Sequence, residues 1–194
     1  MEQDELLGSP EAPPAKAPEK PTVFAATINW LRDLMLSVVI AVLVILFVYQ
    51  PVKVEGTSMM PALEDQERIF INKFIYRWGI GGISRGDTVV FWYPNDPSKS
   101  YIKRVIGLPG DQIEVREGTV FVNRQRIEEN YVPAAYRDTM SVPRVAVPAD
   151  HYYVLGDHRS SSNDSRSWGP VHRRHIYGKA VFVYWPLDKI GLLH

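Results

Sequence analysis

Hydrophobic positions change their rhythm once along this chain. From Leu34 to Val52 they are nearly continuous, and no charged residue interrupts them. At about 1.5 Å per residue, a helix over this run just spans the roughly 30 Å hydrocarbon core of a bilayer. Trp30 and Tyr49 stand near its ends, where interfacial aromatics belong. A core helix of a soluble domain would show a polar stripe, and this run has none. A cleaved signal peptide fits poorly. Its best small pair, Val54 and Gly56, sits among Lys53 and Glu55, and its leader would be long and acidic. The run therefore predicts an uncleaved anchor over residues 28–50. Residues 1–27 before it are rich in proline, alanine and glutamate and predict a disordered tail.

Past the run the period becomes two. Arg68–Lys73, Thr88–Tyr93, Tyr101–Ile106, Thr119–Ile127, His151–Leu155 and Ala180–Trp185 read as strands or hairpins. Pro94-Asn95-Asp96-Pro97 reads as the end of one of them. Phe74–Ile83 is aromatic yet glycine-rich, and reads equally as core or as a loop dipping into a bilayer surface. Residues 112–148 read as an inserted β subdomain without a titratable constellation. The expected fold is mainly β: one transmembrane helix, then an antiparallel β-sheet domain over 51–194 carrying that small insertion.

Composition narrows the function classes. Lysine and arginine total 22, as do aspartate and glutamate, so no basic excess marks a nucleic-acid binder. The absence of cysteine rules out disulfides and thiolate metal sites. Lys16, Lys20 and Arg32 precede the apolar run, while Lys53 and Arg68 follow it; this near balance leans towards the tail inside and the bulk outside.

Three segments carry candidate chemistry. In Val54–Leu63, Gly56 and Thr57 lead into Ser58, then Met59, Met60 and Pro61. That is flexible backbone, one hydroxyl and apolar walls, the setting of a nucleophile. In Tyr101–Asp111, alternation puts Lys103 on one face with Tyr101 and Val105. The loop Gly156–Arg166 packs two aspartates and two arginines into a span able to satisfy itself rigidly. His151, His158, His172 and His175 invite a Ser-His-Asp hydrolase, but Ser58 lacks the Gly-x-Ser-x-Gly elbow. His172-Arg173-Arg174-His175 reads as a solvated basic turn rather than a metal site.

Together the three segments resemble the bacterial type I signal peptidases, membrane-anchored proteases with a serine–lysine dyad. The match runs through Gly56, Ser58, Met59, Pro61 and Leu63, then Tyr101 to Asp111. It continues through Gly156, Asp157, Arg159, Ser162, Asp164, Ser165, Arg166, Trp168, Gly169 and Gly178. Order and spacing agree over residues 28–190, after an anchor.

The resemblance implies Ser58 as nucleophile, Lys103 as a neutral-amine base, and Ser162 as the residue that holds that amine. Ser58 and Gly56 would form the oxyanion site, with the Thr57 hydroxyl as a further donor. The position of Gly56 is often a serine in the family. Val52, Val54, Met59, Leu63, Tyr101 and Ile102 would line shallow pockets for small residues of an Ala-X-Ala type signal peptide. Arg104, Asp157, Arg159, Asp164 and Arg166 would form a structural ion-pair scaffold. His158 stands where asparagine is common. The implied protein needs no cofactor or metal. It binds signal peptides of exported preproteins and the lipid bilayer, takes no nucleic acid, and is a monomer in the bacterial inner membrane with its catalytic domain outside. Two other readings differ in class: a self-cleaving regulator, which would lack an anchor, and a non-catalytic β-domain, which would not need Lys103 and Ser162.

Overall fold

The computed structural model describes residues 23–73 and 82–193. Residues 1–22 of the expected tail and positions 74–81 of the aromatic, glycine-rich segment lie outside these. Helix α1 (Val23–Val48) starts earlier than the hydropathy run suggested, because neither proline nor glycine in Val23–Thr27 stops it. It also ends earlier: Tyr49–Lys53 is strand β1, paired with β2 (Arg68–Asn72) from Tyr49↔Asn72 to Lys53↔Arg68. Pro51 suits that edge strand, where a missing N–H costs no ladder bond. Over Ala26–Val44, α1 has mean hydropathy 1.7, and every side chain there is exposed.

Among the described residues, every strand pairing after α1 is antiparallel. The large sheet adds β3 (Thr88–Tyr93), β4 (Asp96–Gly107), β9 (His151–Leu155), β10 (Val171–His172), β11 (Ile176–Trp185) and β12 (Gly191–Leu192). Its order is β1-β2-β11-β3-β4-β9-β10, with β12 beside β11. A second sheet runs β7-β6-β5-β8, from β5 (Gln112–Arg116), β6 (Thr119–Val122), β7 (Gln125–Arg126) and β8 (Val142–Ala146).

Alternation builds the core directly. In β2, Ile69 and Ile71 are fully buried, while Phe70 on the other face stacks on Tyr184 at 4.5 Å. Ile69, Ile71, Val54, Met59, Leu63 and Val90 form one cluster. Val89, Phe91, Val105 and Val154 form a second. Ile106, Ile113, Val120 and Tyr153 form a third, which joins the two sheets.

Strand β4 matters most for the site. The Pro94–Pro97 stretch does not end a strand pair but turns it: Tyr93 pairs with Asp96, and β4 begins there. Pro97 is tolerated because it lies on an exposed edge. β4 pairs with β3 along most of its length, but β9 covers only the stretch Arg104–Gly107. From Asp96 to Lys103 its other edge is open.

Candidate active site

Ser58 sits in a tight turn between β1 and β2. Met60 N–H donates to Thr57 O at 3.1 Å, and Leu63 N–H to Met59 O at 2.9 Å. Gly56 takes φ +92°, a left-handed conformation that glycine adopts without strain. Two outside bonds fix the turn: His158 N–H donates to Ser58 O at 3.1 Å, and His158 Nδ1 lies 3.2 Å from Thr57 O.

Lys103 reaches this turn from β4, forty-five positions away in sequence. Its Nζ lies 2.6 Å from Ser58 Oγ and donates to Ile102 O at 3.0 Å. The Tyr101 ring centroid is 5.4 Å from the same nitrogen. Lys103 is only 4% exposed. Burial pushes its pKa from 10.5 down to about 8, against the opposing pull of the Asp164 and Asp157 charges. At that value about one lysine in ten is neutral at pH 7, compared with fewer than about one in a thousand at 10.5.

The groove beside the pair has a volume of about 740 Å³. Val52, Val54, Tyr101 and Ile102 line it, as do Ile69, Val90 and Asn163. Met59 and Leu63 do not. At 1% and 0% exposed they are core behind the groove, where the tight turn aims them inward. Gly56 is no oxyanion donor either: its N–H is spent on Asp65 Oδ1 at 2.8 Å. Ser58 N–H has no acceptor among the described residues. Ser162 makes no bond to Lys103; its buried Oγ is unpartnered, packed against Gly156. Lys103 instead finds its second acceptor on its own strand. Ser98, Ser100 and Asn163, which also line the groove, escaped the sequence reading because single polar residues in exposed stretches carry no pattern.

The Gly156–Arg166 loop is the rigid wall behind this chemistry. Arg104 grips Asp157 through two bonds of 2.9 and 2.7 Å, with side chains 5% and 0% exposed. Asp164 accepts from Gly156 N–H at 3.0 Å and from Arg166 Nε at 2.8 Å. It also caps the short helix α2 (Ser165–Trp168). The reading of residues 112–148 as free of any titratable constellation is corrected here. Glu129 holds Arg159 through two bonds of 2.8 and 2.5 Å, and Asp138 pairs with Arg166. No local pattern announces partners 30 and 28 positions apart. Glu129→Leu would leave the Arg159 charge buried and alone, a loss of about 3–5 kcal/mol. Denaturant unfolding should show that drop; an unchanged midpoint would mean the pair carries no stability.

The family model for signal peptidase, peptidase S26, matches residues 27–185. The chain belongs to the signal peptidase S26 family. The peptidase is 37% identical to a signal peptidase I of Leptolyngbya laminosa over 194 residues, which cover 95% of this chain and 93% of that protein. It is 37% identical to signal peptidase I P of Bacillus subtilis subsp. natto over 172 residues, 84% of this chain and 91% of that one. A crystal structure of a signal peptidase I from Enterococcus faecalis V583 aligns with TM-score 0.46 and 30% identity. That alignment covers 52% of this chain and 97% of the other. Of the peptidase's histidines, His158 turns Nδ1 to a carbonyl and not to Ser58 Oγ. His151 and His172 meet edge to face with ring centroids 4.8 Å apart, and His172 lines a different pocket.

Proposed function

We propose that this signal peptidase removes signal peptides from exported preproteins as a membrane-anchored serine endopeptidase, with Ser58 as nucleophile and Lys103 as general base. The observation that carries this reading is the 2.6 Å approach of a buried, partly neutral amine to Ser58 Oγ. In the neutral state the amine's lone pair takes the hydroxyl proton as Oγ attacks the scissile carbonyl. The ammonium then returns that proton to the leaving amine. Water hydrolyses the acyl-enzyme by the same exchange. Ser58 N–H supports the oxyanion; with the Gly56 N–H engaged, any second donor falls to the exposed Thr57 hydroxyl. Asp157 and Asp164 stay paired with arginines, so their charges hold the wall and do not enter the reaction.

The groove supports this substrate class. Its walls include two unpaired strand edges, β1 and the first half of β4. Such edges take an extended peptide by main-chain pairing, with alternate side chains entering pockets. Val52, Ile102, Ile69 and Val90 leave apolar pockets suited to small residues, and a larger side chain meets steric cost. This supports cleavage after a small residue in an Ala-X-Ala type sequence. Helix α1, uncharged and exposed from Leu34 to Val44, serves as a single-pass anchor in the bacterial inner membrane, with the β domain on the outer face. A shared bilayer raises the effective concentration of membrane-held substrate.

The test is cleavage of a lipid-embedded preprotein by the full-length chain, with the cut site read by mass spectrometry. One cut, following a small residue, is expected. Multiple cuts, or none by folded protein, would overturn the assignment.

A further inference from the structure

The basic turn Arg173–His175 is not used by the dyad, and its surroundings are distinctive. It borders a second pocket of about 820 Å³, shared with Lys73, Trp92, His172 and Asp150. Arg104, Arg159 and Arg166 are each locked by carboxylates. By contrast, Lys73, Arg173 and Arg174 have no ion-pair partner among the described residues. These three cations line the pocket with the one carboxylate of Asp150. The turn is held in place by its backbone. Arg173 N–H donates to Asp150 O at 2.7 Å, and Arg174 N–H to His172 Nδ1 at 3.1 Å. With Nδ1 accepting, neutral His172 carries its proton on Nε2 as one more donor.

The place of this pocket in the chain points to its ligand. Gln50 of β1 is in its wall and lies two residues past Val48, the last residue of α1. Two residues reach at most about 7 Å. The polar headgroup layer of a bilayer is about 6 Å deep on each side. Trp92, 44% exposed and packed at 4.8 Å on Tyr177, adds the amphipathic ring that favours this layer. We infer that the Lys73–Arg173–Arg174 pocket binds the phosphate headgroup of an anionic phospholipid in the bilayer that α1 enters. The inference rests on α1 being an anchor, as proposed above. Its consequence is orientational: a headgroup held here ties the β domain to the surface at a second point beyond the helix.

The full-length chain in neutral detergent would be titrated with phosphatidylglycerol and with phosphatidylcholine, and adducts counted by native mass spectrometry. Phosphatidylglycerol should bind at least about 25-fold tighter, since each basic residue at an anionic surface is worth roughly fivefold. The double variant Arg173→Gln/Arg174→Gln should lose roughly 25-fold for phosphatidylglycerol and nothing for phosphatidylcholine. Equal binding of the two lipids, or a variant that binds like wild type, would overturn the site. Glycerol phosphate displacing the lipid at matched concentration would show a general phosphate pocket, and would overturn the headgroup assignment. Alkaline carbonate extraction of the wild type from vesicles separates the two readings. Release would sink the anchor, and this site with it. Retention without a lipid preference would sink this site alone.

Discussion

Lys103→Met is expected to abolish cleavage and, at neutral pH, to make the protein more stable. Methionine keeps the length and the apolar stem of the side chain but supplies neither base nor charge. Without a base, Ser58 Oγ keeps its proton, and the rate should fall by more than about 10³-fold. Ser58→Ala should fall as far. The double variant should be no worse than either single one, because the two groups act as a unit. Lys103→Arg should also be inactive, since a guanidinium stays charged.

The stability arm follows from the same burial. The gap between 10.5 and about 8 corresponds to roughly 3 kcal/mol of differential interaction. Below about pH 8 the lysine is protonated in both folded and unfolded chains, and the fold carries the full cost of a buried charge. Between about 8 and 10.5 the unfolded chain still holds a proton that the folded one has released. Stability therefore rises with pH across that window, and above it the cost is gone. The gain in Lys103→Met should be greatest below pH 8 and vanish by about 10.5. Wild-type cleavage should climb through about pH 8. A rate governed by a group near 6.5 would move the base to histidine, and full activity in Lys103→Met would end the dyad.

Much of this site is written in local pattern. Period-two alternation places Lys103 next to Tyr101 and Val105 on a strand, and the apolar run marks α1. The match of three short segments pairs Ser58 with Lys103 before any coordinates. What the pattern does not contain is long-range pairing. Glu129 and Asp138 look like solvated loop residues until the fold brings Arg159 and Arg166 to them. Met59 and Leu63 share the residue type of pocket walls. Only the inward turn after Ser58 decides that they are core. Gly56 reads as an oxyanion donor until Asp65, nine residues on, claims its N–H. Each miss is a choice between two chemically adequate partners, and such a choice is made by tertiary packing rather than by propensity.

Gly156→Ala is expected to damage catalysis without touching either member of the dyad. A Cβ at this position would stand 2.2 Å from Ser162 Oγ and 2.5 Å from Ser58 O. Rotation of the Ser162 side chain relieves the first contact but not the 2.6 Å approach of its Cβ. The second is with backbone, and that carbonyl is held by His158 N–H at 3.1 Å. Relief must therefore come from the Ser58 turn, the end of β9 or the backbone at Ser162, and movement of the turn changes the 2.6 Å approach of Oγ to Lys103. A displacement near 1 Å in a positioned nucleophile costs about 10²-fold in rate. Overpacking should add a loss of about 1–3 kcal/mol in stability. Gly82→Ala is the control, because a Cβ there meets nothing within 4 Å. Cleavage kinetics and thermal melting of both variants decide the matter. Wild-type turnover in Gly156→Ala would show that the Ser58 turn yields freely. A fall in turnover with only a small loss of stability would show that the missing side chain at 156 holds the nucleophile in register with its base.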